Sequence, residues 1–257
     1  MAYLRDVVFR SPLLQWQRLA LGSADDSWSP AYQVEAPRLL LPFSRCFECR
    51  IGDHAFSCDP ASALWLRPGE PYRLRQPWAG QRSMLLIVDA ELGPSRRAPL
   101  PLSAHLQLAN WSQGLAQQRV EPLALEEGLL ALAQELLAPE AARAVRPHRA
   151  VERAREYIAA EPQRDDTLGE IAHAANCSAF HLARRFRQQT GQSLHGFRTG
   201  LRMTMALERL RQGERHLATL AADLGYASHS HFGAVFRRHF GIGPDRMRTN
   251  LVAPPPR

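Results

Sequence analysis

Over the first hundred residues the apolar positions come in short runs cut by turn residues. The runs are PRLLLPF (37–43), CFECRIG (46–52), HAFSCDP (54–60), ALWLRPGEPYRL (63–74) and SMLLIVDAELG (83–93). Pro42, Gly52-Asp53, Asp59-Pro60, Pro68-Gly69 and Pro77 separate them, at the spacing of strands in a compact sandwich or barrel. Residues 1–101 therefore read as mostly β. From about Asn110 the period lengthens. Leu125, Leu129, Leu132 and Leu136 recur at steps of 4, 3 and 4, and Leu123, Leu130 and Leu137 form an adjacent line at steps of seven. A stripe this wide suits a helix lying on its own sheet and also one pairing across a dimer interface. Both readings stay open. Ala138 to Pro147, bounded by Pro139 and Pro147, reads as a short linker.

The last 110 or so residues are helical throughout and contain an internal repeat. Leu168, Ile171 and Ala172 precede ANCSAFHLARRFRQQTG in the first copy; Leu217, Leu220 and Ala221 precede LGYASHSHFGAVFRRHFG in the second. Ser178 to Phe186 to Gly191 spans steps of 8 and 5, and Ser228 to Phe236 to Gly241 repeats them. Each copy reads as helix, tight turn, helix. Asn176-Cys177 and Gly225-Tyr226 supply turns tolerant of left-handed backbone, and Ser178 and Ser228 cap the second helices. Phe197, Leu201 and Met205 lie four apart, as one long helix between the copies requires.

The second helix of each copy buries Leu182 and Phe186, or Phe232 and Phe236. Its other face carries Phe180, Ala183, Arg184 and Arg187 in one copy, and His229, Ser230, Gly233, Ala234 and Arg237 in the other. Small residues permit close approach to a major groove, while Arg and His donate to bases or phosphates. Charge sharpens this picture. All 32 basic residues are Arg, and the net charge is +7. Residues 1–145 hold 14 Arg against 15 acids, whereas residues 146–257 hold 18 against 10. The excess sits on the half that holds the repeat, which points to an acidic polymer or surface as partner for that half alone.

Residues from about His148 to Arg248 resemble the DNA-binding region of the AraC/XylS family of bacterial transcription regulators. The match runs through Leu168, Ile171-Ala172, Ser178, His181-Leu182, Arg184, Phe186, Gly191, SLHGFRTGLRMTMALERL and Leu217–Ala221. It is densest at Gly225-Tyr226, Ser228, Ser230-His231-Phe232, Phe236, Phe240-Gly241 and Pro244. The resemblance implies two helix-turn-helix subdomains joined by one long helix, reading adjacent major-groove segments. By position it places Phe180, Ala183 and Arg184 on DNA in the first recognition helix, and His229, Ser230, His231 and Ala234 in the second. Arg187 and Arg237, one turn further on, are expected on phosphates. Ala183 and Ala234 stand where the family often has larger polar residues, which leaves them thymine methyls or nothing to read.

The first half resembles the cupin-like sensory domains that precede this module, with implied roles in effector binding and dimerisation. Three chemistries compete there. A metal-dependent cupin enzyme needs a His-x-His pair, and residues 1–138 contain only His54 and His105, so no catalysis is expected. Cys46, Cys49, His54 and Cys58 have a donor set that suits tetrahedral zinc or a redox pair. Against them, positions 46 and 49 point to opposite faces of a regular strand. An organic effector held by Trp65, Tyr72 and Arg73 is the third.

The fold expected is α+β in two domains: a β-rich cupin-like barrel with following helices over residues 1–138, a linker at 139–147, an all-α double helix-turn-helix at 148–250 and a disordered tail at 251–257. The function expected is that of an effector-responsive, sequence-specific regulator, an activator by the family's commoner habit, and not an enzyme. Its expected partners are double-stranded DNA, a small-molecule effector, RNA polymerase and a second copy of the chain; no cofactor is expected. The alternative is a redox- or metal-sensing cupin-like protein whose basic tail binds nucleic acid without sequence preference. No apolar run approaches the roughly eighteen residues that cross a bilayer. The N-terminus, with Arg5 and Arg10, lacks a signal-like apolar stretch, so the cytoplasm is the expected compartment.

Overall fold

A computed structural model describes residues 3–89, 93–138 and 148–251. Among the described residues nine strands come first: β1 (Tyr3–Arg10), β2 (Leu14–Leu21), β3 (Arg38–Ser44), β4 (Phe47–Ile51), β5 (His54–Cys58), β6 (Ser62–Leu66), β7 (Tyr72–Arg75), β8 (Gln81–Val88) and β9 (Arg96–Pro99). They form a six-stranded antiparallel sheet, β1-β2-β8-β3-β6-β9, and a three-stranded sheet, β5-β4-β7. The breakers seen in the sequence fall between these strands, except Pro42, which lies inside β3 where the register to β8 shifts.

Period-2 alternation gives the large sheet two apolar faces. Leu64 and Leu66 turn toward the small sheet and pack with Val34, Phe47, Cys49, Phe56 and Cys58 inside the barrel. Trp16, Leu39, Leu41, Trp65, Met84 and Leu86 turn the other way, against helices α1 (Leu102–Ala116) and α2 (Pro122–Leu136). In α2 the Leu125, Leu129, Leu132, Leu136 stripe is buried on this face, and Leu123 is left 59% exposed. Helical structure begins at Leu102, earlier than the periodicity suggests. The N-cap position there is Pro101, which offers no side-chain acceptor.

Seven more helices follow: α3 (Arg149–Ala160), α4 (Leu168–Ala174), α5 (Ala179–Thr190), α6 (Leu194–Arg211), α7 (Leu217–Asp223), α8 (His229–Phe240) and α9 (Pro244–Leu251). Helices α3 to α5 close one core with the first half of α6, around Ile171, Leu182, Phe186 and Phe197. Helices α7 to α9 close a second with its other half, around Leu207, Leu220, Phe232 and Phe236. Leu251, expected in the tail, instead ends α9 and is 1% exposed, because it packs into this second core. The expected linker, 139–147, and the rest of the tail lie outside the described residues.

Both helical cores continue into the N-terminal half. Cys46 joins the first and Ala109 of α1 the second. Polar contacts reinforce the first junction. On α3, Glu152 takes a bidentate bond from Arg97 of β9 at 2.6 and 2.7 Å and accepts the Ser57 amide at 2.9 Å. Arg155 donates twice to Asp59.

Candidate DNA interface

The two helix-turn-helix units have the same plan of turn, serine cap and terminal glycine. Asn176 turns the first at φ 54° and Gly225 turns the second at φ 75°. A Cβ on Gly225 would sit 2.0 Å from the Gln163 carbonyl oxygen, so close approach as well as backbone angle asks for glycine there. The Ser178 hydroxyl accepts from the His181 amide at 3.3 Å, and the Ser228 hydroxyl from the His231 amide at 3.1 Å. Each second helix ends on a left-handed glycine, Gly191 or Gly241. In the first unit α4 also carries a capping box, with Thr167 and Glu170 exchanging bonds.

Burial of the apolar stripe fixes which side of α5 and α8 faces out. Leu182, Phe186, Phe232 and Phe236 are wholly buried. Phe180 is 80% exposed, and Arg184, Arg187, His229, Ser230, His231, Ala234 and Arg237 are exposed too; Ala183 is half-buried. Phe180 and Arg184, four apart, share the exposed face of α5. The His181 ring packs against that of His148 at 5.5 Å, and Cys177 is partly buried against the first core.

Arg202, on the buried side of α6, holds the two units together; periodicity alone offers no sign of it beyond a charge in an apolar stripe. Its Nε donates to the Pro162 carbonyl at 2.7 Å, Nη2 to Gln163 and Arg164 at 3.0 Å each, and Nη1 to Gly225 at 3.3 Å. The guanidinium also lies over the Tyr226 ring, at 5.4 Å. One side chain thus satisfies carbonyls ahead of the first unit and in the turn of the second.

The candidate sites of the N-terminal half are dispersed. Cys49 and Cys58 share the barrel-interior face, Cys46 lies in the core against α3, and His54 is exposed where β5 begins. Burial pushes the Cys49 thiol up to about 12 and raises Cys46 and Cys58 well above the usual thiol range, which holds all three protonated. Among the described residues no three His, Cys, Asp or Glu side chains are grouped to hold a metal ion. Trp65, Tyr72 and Arg73 do not converge either. Trp65 is buried on the helix side of the large sheet, donating to the Gly93 carbonyl at 3.1 Å; Tyr72 packs on the barrel interior beside Tyr32; Arg73 is exposed. His105 is fully enclosed by α1 and the sheet, 2.6 Å from the Pro60 carbonyl, and burial lowers it to about 4, so it is neutral.

Comparison with known proteins places the same segment in context. Residues 171–250 match a family model described as a helix-turn-helix domain. The regulatory protein SoxS of Escherichia coli K12 is 37% identical over 81 residues, which cover 32% of this chain and 76% of SoxS. The HTH-type transcriptional regulator NimR of the same organism is 26% identical over 246 residues, covering 90% of this chain and 86% of NimR. Three other matched regulators, among them an uncharacterized one from Haemophilus influenzae, are covered for only 32%, 31% and 29% of their length. Among solved structures, ToxT of Vibrio cholerae with bound unsaturated fatty acid superposes at a TM-score of 0.42 and 12% identity, over 95% of this chain and 98% of that one.

Proposed function

We propose that this chain, which belongs to the AraC/XylS family of transcriptional regulators, binds DNA sequence-specifically and regulates transcription in response to a small-molecule effector. The observation that carries the reading is the pair of capped helices α5 and α8, each burying two large apolar residues and presenting a small, basic, exposed face. Phe180, Ala183 and Arg184 on α5 and His229, Ser230, His231 and Ala234 on α8 contact base edges. Arg187 and Arg237 contact phosphates, which position the helices without reading sequence.

In this reading the N-terminal half binds the effector and pairs two copies of the chain. Leu123, exposed beside the buried stripe of α2, supports the pairing role. The pair acts in the cytoplasm as an activator in contact with RNA polymerase, and no catalytic step is assigned to it. Among the described residues no helix is long and apolar enough to cross a membrane.

Selection of the full-length chain against a randomised duplex pool tests the reading. It should enrich a motif with two blocks about one helical turn apart. Binding that ignores base substitution and weakens steeply with salt would be charge-driven alone and would overturn it.

A further inference from the structure

The face of the large sheet that α1 and α2 cover is not covered along its whole length. Registered pairs place Leu4 and Asp6 of β1, Ala20 and Arg18 of β2, and Arg82 and Met84 of β8 on that face, beyond Trp16 and Leu86. Helix α6 lies opposite this end, and a cleft of about 320 Å3 runs between them. Its floor is apolar, with Ala20 and Phe43, and Leu4 at its edge is 78% exposed. The barrel interior, by contrast, is packed with its own side chains.

The cleft's charged groups are unbalanced. Among the described residues, Arg18, Arg82 and Arg211 line it against Asp6 and Glu208. Arg211 is bidentate to Glu208, at 2.8 and 2.7 Å, and Arg82 reaches the same carboxylate only at 3.8 Å. Arg18 contacts Ser112 and lies 3.6 Å from Asp6, yet its Nε is buried without a hydrogen-bond partner. Burial and the like charge of Arg211 both disfavour the charged state of Arg18. A negative group would offset both effects by favouring the charged guanidinium, and the apolar floor would hold the remainder of the same molecule.

We propose that this cleft binds a small molecule carrying one anionic group on an apolar body, with the anion at Arg18 and Arg211 and the body over Leu4, Ala20 and Phe43. The inference rests on the effector-responsive reading above and gives that effector a place and a chemical class. Because α6 carries both helix-turn-helix units, a ligand wedged between it and the sheet acts on both readers at once.

The probe is ANS, an anilinonaphthalene dye with one sulfonate, compared with the uncharged N-phenylnaphthylamine, on the full chain. ANS should bind saturably at one site, and Arg18→Gln should weaken it by about tenfold while leaving the neutral dye unaffected. Leu4→Asp, at an exposed edge position that folding tolerates, should weaken both dyes. Unchanged ANS affinity in both variants would overturn the proposal, as would equal loss of the two dyes in Arg18→Gln. The same variants should still select a DNA sequence; if they do while the dye results fail, this site is wrong and the regulator reading stands.

Discussion

Arg155 and Asp59 form a buried ion pair across the junction of the two halves. Nε and Nη2 of Arg155 donate to the two carboxylate oxygens at 2.8 and 2.9 Å, with 8% and 0% of the respective side chains exposed. Asp59 also accepts from the Ala61 amide, so the same carboxylate shapes the turn into β6. Arg155→Met strands a buried carboxylate. It should cost about 3–5 kcal/mol in chemical denaturation, whereas Asp59→Leu combined with Arg155→Met should recover much of that loss. An additive double variant would show that the pair is not coupled.

Close to this pair, Glu156 of α3 faces Glu48 of β4, with the Ser57 hydroxyl donating to it at 2.9 Å and Arg75 bound to Glu48. Asp26 is the remaining charge at Arg75, and Glu152 lies one turn before on α3, held by Arg97. Burial and the neighbouring Glu48 raise Glu156 from its ordinary 4.5 to about 7. The folded state then keeps a proton that the unfolded state releases, so stability falls as pH rises between about 4.5 and about 7 and levels off above. Urea midpoints across that window should drift downward in the parent and lie flatter in Glu156→Gln. Parallel curves would assign the drift to other groups.

The two turns make a matched pair of substitutions. Gly225→Ala meets the Gln163 carbonyl and a positive φ together. A loss of at least about 1–3 kcal/mol is expected, with weakened DNA binding, because α8 starts from that turn. Asn176→Gly keeps a compatible backbone, and its effect should stay within a few tenths of a kcal/mol. Thermal unfolding of both variants decides the matter; equal effects would refute the requirement for glycine at position 225.

On α5 and α8 the proposed roles would separate by readout. Arg184→Ala should relax base preference at one operator position, a loss of about 1–3 kcal/mol against the preferred base. Arg237→Ala should weaken every sequence alike and lower the salt slope by about one. Uniform loss from both across a randomised pool would refute the division of labour.

The helical half was the more legible one. Two recurrences fixed it: capping serines at a constant distance from a buried Phe and a terminating Gly, and a stripe four apart in α6. Local rules of this kind need no distant partner. Most strand runs of the barrel were visible too, since Pro and Gly breaks mark their ends. The individual candidates of the barrel fared differently, because a sheet decides by register. Trp65 and Tyr72 look alike as aromatic positions, yet pairing sends one to the helices and the other to the interior. Cys46 and Cys49 are three apart, yet they end in separate cores. The cleft beside α6 had no signature at all, since Leu4, Arg18, Arg82 and Arg211 meet only through strand pairing and the docking of α6.

Arg202 fixes more than the stability of one helix. Its guanidinium fastens carbonyls ahead of the first unit and in the turn of the second to a shared strut, so the distance between the two probes is expected to be a property of the protein and not of its target. Promoters with a base pair inserted between the blocks must then be accommodated by twisting or curving the duplex, and the elastic cost of that deformation falls on the DNA.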